Sequence, residues 1–576
     1  MNGISRRRLL AATGSAFASI TLQGCADGDD PPSVDSTDVT LDISYLQLNL
    51  AGRSVNLRVY GGSLPGPTIY THPGDLLRIR VRNFLPPYDS SLFEQDMHSL
   101  GHSLAMNVPH DLNSTNLHVH GMSVIPHLFE PLGTSDPAAP MISIGPGEEK
   151  TYDFAVPNDH PSGLYWYHPH LHGSTAVQVA SGMSGLIVIK GPIDEVPAIK
   201  AAQDILLAVH DLGLFADDPS NPTTTSWSYS PAQNTFWNTG TGSSSLTSPE
   251  GMSEGPANSG FSNSDYPLRL YLLNGQPFYE ELHNYEEGKF QYPVGTQLPA
   301  PRFVLRPGEV VRFRLLNGTT DNLMPLVVDE HTMYLLAIDG VNFLETAAIA
   351  YTEGAKVLGQ EQVLLPPAGR AEFMIEASSK PGVYAIRALA HEPGAQFFAS
   401  SEKVIAEIEV AGEPLTMALP TKLPTPTRYY PLTTGVEPAA RRDVQFSMFF
   451  GDATSKPKNF VVGGDFMING ELYDETSVTF RPKLNTVEEW TLHVDHDPTS
   501  SPEGHPFHLH DNSFEVVSIG GKPVDPVVIQ DTVWVPHDQK VVIRVRFLEY
   551  TGKSVFHCHI LPHEDGGMMQ NILMVK

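Results

Sequence analysis

An eleven-residue pattern recurs along this chain, and it restricts the fold more than any other feature. Pro73-Gly74-Asp75-Leu76-Leu77-Arg78-Ile79-Arg80-Val81-Arg82-Asn83 returns 234 residues later as Pro307-Gly308-Glu309-Val310-Val311-Arg312-Phe313-Arg314-Leu315-Leu316-Asn317. A looser copy, Asn485-Thr486-Val487-Glu488-Glu489-Trp490-Thr491-Leu492-His493, lies in the last third. Each copy reads as a turn followed by a strand whose apolar side chains alternate onto one face. Further alternating strands are expected at 150–156, 185–190, 204–210, 371–375 and 541–547, and long amphipathic helical patterns are absent. The chain is therefore expected to be all-β, and its 576 residues exceed what one core normally serves. Three related β-sandwiches are expected over 40–190, 195–412 and 425–576. A Ser/Thr/Asn/Pro/Gly-rich stretch at 214–265 reads as a long surface loop in the second, and 413–442 as the linker into the third.

The N-terminus reads as an address. Arg6-Arg7 within Ser5-Arg6-Arg7-Arg8-Leu9-Leu10 precedes an apolar run to Ile20 that is too short to span a bilayer. This is the pattern of a twin-arginine export signal, expected over 1–26. Leu22-Gln23-Gly24-Cys25 resembles a lipobox, so Cys25 is a candidate lipid anchor ahead of a polar tether at 27–39, with plain signal cleavage as the alternative. Periplasmic or cell-surface residence follows from this reading. The formal net charge of −29 argues against nucleic acid and anionic membrane surfaces as partners.

Only two cysteines occur, and Cys25 is expected to be spent on processing. The other sits in His557-Cys558-His559, followed by His563 and by Met568 and Met569. Thiolate, imidazole and a weak thioether form the donor set of a blue-copper electron-transfer site. In an extended segment Cys558 points to one face and its two neighbours to the other, so one backbone could join two metal sites. Three more alternating pairs are present: His118-Val119-His120, His168-Pro169-His170 and His508-Leu509-His510. Residues i and i+2 of a strand share a face, so each pair can offer two imidazoles to one cluster. The middle third carries only isolated histidines (His210, His283, His331, His391), which places the expected site between the outer two domains.

With these motifs in order, the chain resembles the multicopper oxidases, the family of laccases, bilirubin oxidase and the bacterial copper-efflux and spore-coat oxidases. Thr115-Asn116-Leu117-His118-Val119-His120-Gly121 resembles the first copper motif and Leu164-Tyr165-Trp166-Tyr167-His168-Pro169-His170 the second. His505-Pro506-Phe507-His508-Leu509-His510 and the C-terminal run resemble the third and fourth. The resemblance implies three cupredoxin-like Greek-key β-sandwich domains and four copper ions. Type 1 copper would take His505, Cys558 and His563, with Met568 axial. Type 2 would take His118 and His508, and the type 3 pair His120, His168, His170, His510, His557 and His559. It also implies dioxygen as acceptor, reduced to water, and a small reductant. The thinness of any methionine-rich insert favours a phenol or aromatic amine, with Cu(I), Fe(II) or Mn(II) as the alternative. Glu564 is the expected proton-relay acid. The family's second acid has no exact match in Pro126-His127-Leu128-Phe129-Glu130-Pro131, where Glu130 is nearest and Asp136 the reserve. His172 is expected to be structural, and Met97, His98, His102, Met106 and His110 in the long 84–113 approach form a conceivable cuprous site.

Overall fold

The repeat has a structural counterpart. In the computed structural model, which describes residues 36–87, 106–107, 110–216, 226–228, 268–282, 294–350, 363–391, 400–433, 435–449, 465–495 and 503–576, the three copies are the strands Leu76–Asn83, Val310–Gly318 and Val487–Val494. Each is flanked in the same way. Leu76–Asn83 runs parallel to Ser36–Leu50 and antiparallel to Glu149–Ala155. Val310–Gly318 runs parallel to Gln203–Ala216 and antiparallel to Arg370–Glu376. Val487–Val494 runs parallel to Ala440–Phe449 and antiparallel to Val541–Arg546. The turn ahead of each copy needs a left-handed residue, supplied by Gly74 (φ 92°), Gly308 (φ 73°) and Asn485 (φ 60°).

Alternation sorts the first copy as its pattern predicts. Leu77, Ile79 and Val81 are buried, while Arg78, Arg80 and Arg82 face outward to Asp153, Glu149 and Asp42. The middle copy differs: Arg312 and Arg314 are buried too, paired with Asp194, Asp204 and Glu372. The physical reason is that both faces of the middle unit are covered. Leu164, Trp166, Leu186 and Val188 of the N-terminal unit form one core with Ala208, Leu316 and Ala368 of the middle one.

Among the described residues the strands form five sheets, and helix is confined to short segments such as Thr175–Ala180, Pro197–Ala201 and Leu561–Asp565. The 214–265 stretch begins as structure rather than loop, since Gln203–Ala216 continues through its start and pairs with the short strand Trp227–Ser228. The rest of that stretch lies outside the described residues. So do the export signal with Cys25, the tether up to residue 35, Met97, His98, His102 and His283.

Two small sheets position the site. His118–His120 lies beside Gly163–His168 in one, with His118 opposite His168. His505–Leu509 lies beside Gly552–Cys558 in the other, with His508 opposite His557 and Phe507 opposite Cys558. All four strands are fully buried.

Candidate metal centre

The paired strands bring the two outer units face to face. His118 stacks on His510 with centroids 3.9 Å apart, and His120 on His508 at 3.8 Å. Three groups of imidazoles result: His118, His120 and His508; His120, His168 and His559; His170, His510 and His557. Within each group the potential ligand atoms lie within 4.8 Å of one another. All eight histidines are buried, four from each outer unit.

Hydrogen bonding determines which nitrogen faces inward in four of the eight rings. His168 Nδ1 lies 2.8 Å from the Pro169 carbonyl, His508 Nδ1 2.8 Å from that of Asp531, and His557 Nδ1 3.0 Å from that of Cys558. A carbonyl only accepts, so each Nδ1 carries the proton and each Nε2 a lone pair. His120 is reversed: its Nε2 lies 3.1 Å from Asp531 Oδ1, leaving the lone pair on Nδ1. The inward atoms His118 Nε2, His120 Nδ1, His168 Nε2 and His508 Nε2 have no hydrogen-bond partner. His557 Nε2 lies 3.1 Å from both His170 Nε2 and His510 Nε2. Buried unpartnered acceptors cost on the order of 1–3 kcal/mol each, and cations held by these groups would relieve that cost. Burial, reinforced by the neighbouring rings, drives His118, His120, His170, His508, His510 and His559 well below the usual imidazole range. Burial likewise holds His168 at about 3. Neutral imidazole is the form that binds metal.

The fourth group is His505, Cys558 and His563. Cys558 Sγ lies 3.4 Å from His505 Nδ1 and 3.8 Å from His563 Nδ1, and it accepts the Ile560 N–H at 3.4 Å. Burial pushes the Cys558 thiol up and lowers His563 to about 3, so a cation is what would favour the thiolate here. Met568 is fully buried in the same core as Cys558 and accepts the Cys558 N–H through its carbonyl at 3.0 Å. Cys558 thus faces one group while His557 and His559 face two others.

Supporting residues surround these rings. Glu564 is fully buried, with Oε2 3.1 Å from His557 Nδ1 and Oε1 3.3 Å from His170 Nδ1. Asp565 accepts the Gly173 and Ala176 N–H groups at 2.7 and 2.8 Å, tying the helix Leu561–Asp565 to Thr175–Ala180. Glu130 is not at the cluster. It sits at the surface, its side chain 53% exposed and paired with Lys150, because the chain carries it outward beyond buried Phe129. Asp136 is exposed and caps its own turn through the Ala138 N–H. His127 occupies the interior of that stretch instead, 3.1 Å from His118, and burial lowers it to about 4. His172 joins none of the four groups and bonds Asn107 through Nε2 at 3.1 Å.

Asp531 and Arg370 belong to the site without any mark in the sequence. Asp531 accepts Arg370 Nη1 and Nη2 at 2.8 and 2.6 Å as well as His120. Arg370 also donates to the carbonyls of Leu164 and Asp339, so one guanidinium touches all three units. Asp339 accepts the Arg370, Asp531 and Thr532 N–H groups, and burial raises it to about 7. No spacing marks these residues, which meet only in the folded chain.

Comparison with known proteins agrees with this geometry. Three multicopper oxidase family models match residues 99–193, 247–403 and 440–575. The chain is 24% identical over 536 residues to a multicopper oxidase of Staphylococcus aureus, covering 91% of this chain and 85% of that protein. It is 25% identical over 580 residues to Laccase-5 of Trametes villosa, covering 95% and 90%. Its fold matches the structure of a Campylobacter jejuni multicopper oxidase, described as a metallo-oxidase, with a TM-score of 0.62, 22% identity and coverage of 95% and 93%. The three cupredoxin-like domains, the histidine groups able to hold copper and the matches along the chain have one explanation: this oxidoreductase belongs to the multicopper oxidase family.

Proposed function

We propose that the protein is an exported, laccase-like oxidase that takes single electrons from phenolic or aromatic-amine reductants and reduces dioxygen to water. The observation that carries this is the division of one short segment between two kinds of site: Cys558 joins His505 and His563, while His557 and His559 join the histidine groups. Four copper ions fit the donors. His505, Cys558 and His563, with Met568 as a weak thioether donor, would hold a type 1 ion, and His118 and His508 a type 2 ion. His120, His168 and His559, with His170, His510 and His557, suit the type 3 pair. Bound copper supplies reversible one-electron chemistry at the first site and four-electron reduction of dioxygen at the cluster.

The chain's own residues prepare that chemistry. The peptide bonds flanking Cys558 form a continuous covalent path from Sγ to both neighbouring rings. Asp531 and the carbonyls beside His168, His508 and His557 hold ring orientations, which keeps donor atoms in place without reorganisation. Glu564 holds a carboxyl group beside His557 and His170 where a proton is needed for water formation. Burial of all these groups excludes bulk water. Arg6-Arg7 and the lipobox-like Gly24-Cys25 support export to the periplasm or cell surface, with Cys25 as the candidate lipid anchor.

A metal-ion reductant is the second reading, favoured by one observation. The Campylobacter jejuni oxidase whose fold the chain shares is described as a metallo-oxidase. Copper per chain, measured with the absorption spectrum, tests the main reading. Four coppers and an intense blue band are expected, and Cys558→Ser should abolish the band and turnover while keeping the fold. A blue band surviving in that variant would overturn the assignment. Dioxygen consumption with a phenol against Cu(I) or Fe(II) separates the two reductant classes.

A further inference from the structure

His127 lies where the sequence led us to look for an acid, and its hydrogen bonds have a direction. Its Nδ1 is 3.1 Å from the Ile125 carbonyl, which only accepts, so the proton resides on Nδ1. Asp511 Oδ1, which has no hydrogen-bond partner, lies 3.9 Å from the same nitrogen, while Asp511 Oδ2 accepts the Ser554 hydroxyl at 2.5 Å. His127 Nε2 therefore presents a lone pair. It accepts the Val119 N–H at 3.2 Å and faces His118 Nδ1 at 3.1 Å. His118 must accordingly carry its proton on Nδ1, and its unpartnered lone pair falls on Nε2, the atom that faces His120 and His508. The two rings are nearly parallel, at 12°.

The other rings of the cluster with an assigned outer hydrogen bond lean on a carbonyl or a carboxylate. His118 leans on an imidazole, which serves as an acceptor only because Ile125 and Asp511 bias its proton to the far side. We propose that His127 is a positioning residue for the copper held by His118 and His508, fixing His118 in the tautomer that offers Nε2. This rests on the copper assignment made above.

The test uses copper-loaded protein dialysed against graded chelator, with copper per chain, the type 2 electron paramagnetic resonance signal and the blue band recorded together. His127→Phe keeps a ring but removes the acceptor. It should weaken retention of one copper about 10–100-fold and alter the type 2 hyperfine splitting, with the blue band unchanged. His127→Gln can turn its amide oxygen to Val119 and His118 and should restore most of both. Wild-type retention and splitting in His127→Phe would overturn the proposal, as would equal loss in His127→Gln. A wild-type protein that binds no copper would overturn both this role and the reading beneath it. Should His127→Phe fail to fold, nitrogen-15 shifts of His118 in the fully reduced, copper-loaded wild type decide: a proton on Nδ1 is expected, and its absence there refutes the role.

Discussion

Met568 lies in the buried cluster that contains Cys558, Phe446 and Trp490, whereas Met569 packs on the other side with Leu171 and Val555. The two neighbouring thioethers thus enter different cores, and of the two it is Met568 that shares one with the cysteine. Leucine nearly conserves methionine's volume, so Met568→Leu should cost under about 1.5 kcal/mol of stability. It removes a weak donor, and the type 1 reduction potential should rise while the blue band persists. A potential unchanged or lowered in a redox titration would show that this thioether is not a ligand. The candidate ligands were legible because a metal site built from paired strands writes itself as His-x-His. Glu564 was legible by adjacency to His563. Glu130 is the nearest match to the position of the family's second acid, but the chain carries it to the surface, and His127 of the same stretch fills the interior position instead. Asp531 reaches His120 across 411 residues, and no local pattern encodes such a contact.

At the scale of elements, the turn after the strand His118–His120 shows how closely the middle unit approaches. Gly121 has φ 84°, and a Cβ there would lie 2.3 Å from Arg370 Nη2 and 2.6 Å from Asp531 Oδ2. The middle unit contributes no histidine to the four groups, yet the strand Arg370–Glu376 supplies the cation that neutralises Asp531 behind His120. Arg370→Leu leaves that carboxylate buried without its counter-charge, a change that typically costs about 3–5 kcal/mol. Urea unfolding followed by fluorescence should show the loss, and a shift worth less than about 1 kcal/mol would refute the role. The repeated strands were readable from their turns and alternation. The burial of Arg312 and Arg314 was not, since it arises from a neighbouring unit that alternation within one strand does not report.

Across the whole molecule, buried neutral histidines outside the cluster make stability depend on pH. Burial holds His160 and His210 at about 4, against an ordinary value of 6.5. Between those values the unfolded chain binds more protons than the folded one, so stability rises with pH there. Their contribution is complete above 6.5 and is lost as pH falls toward 4, at up to roughly 1.4 kcal/mol per group per pH unit. The metal-free protein should therefore melt at progressively lower temperature from pH 6.5 to 4.5, and a flat thermal midpoint over that range would contradict the assignment.

The sharing of one cluster between the two ends of the chain also sets an order of events during synthesis. His170 and His557, whose rings meet, are 387 residues apart. The first four histidines leave the ribosome long before their counterparts exist, and during that interval they can offer only half of the coordination. The strands that carry His508, His510, His557 and His559 close the site, so a chain interrupted before them could offer a metal only half of the cluster.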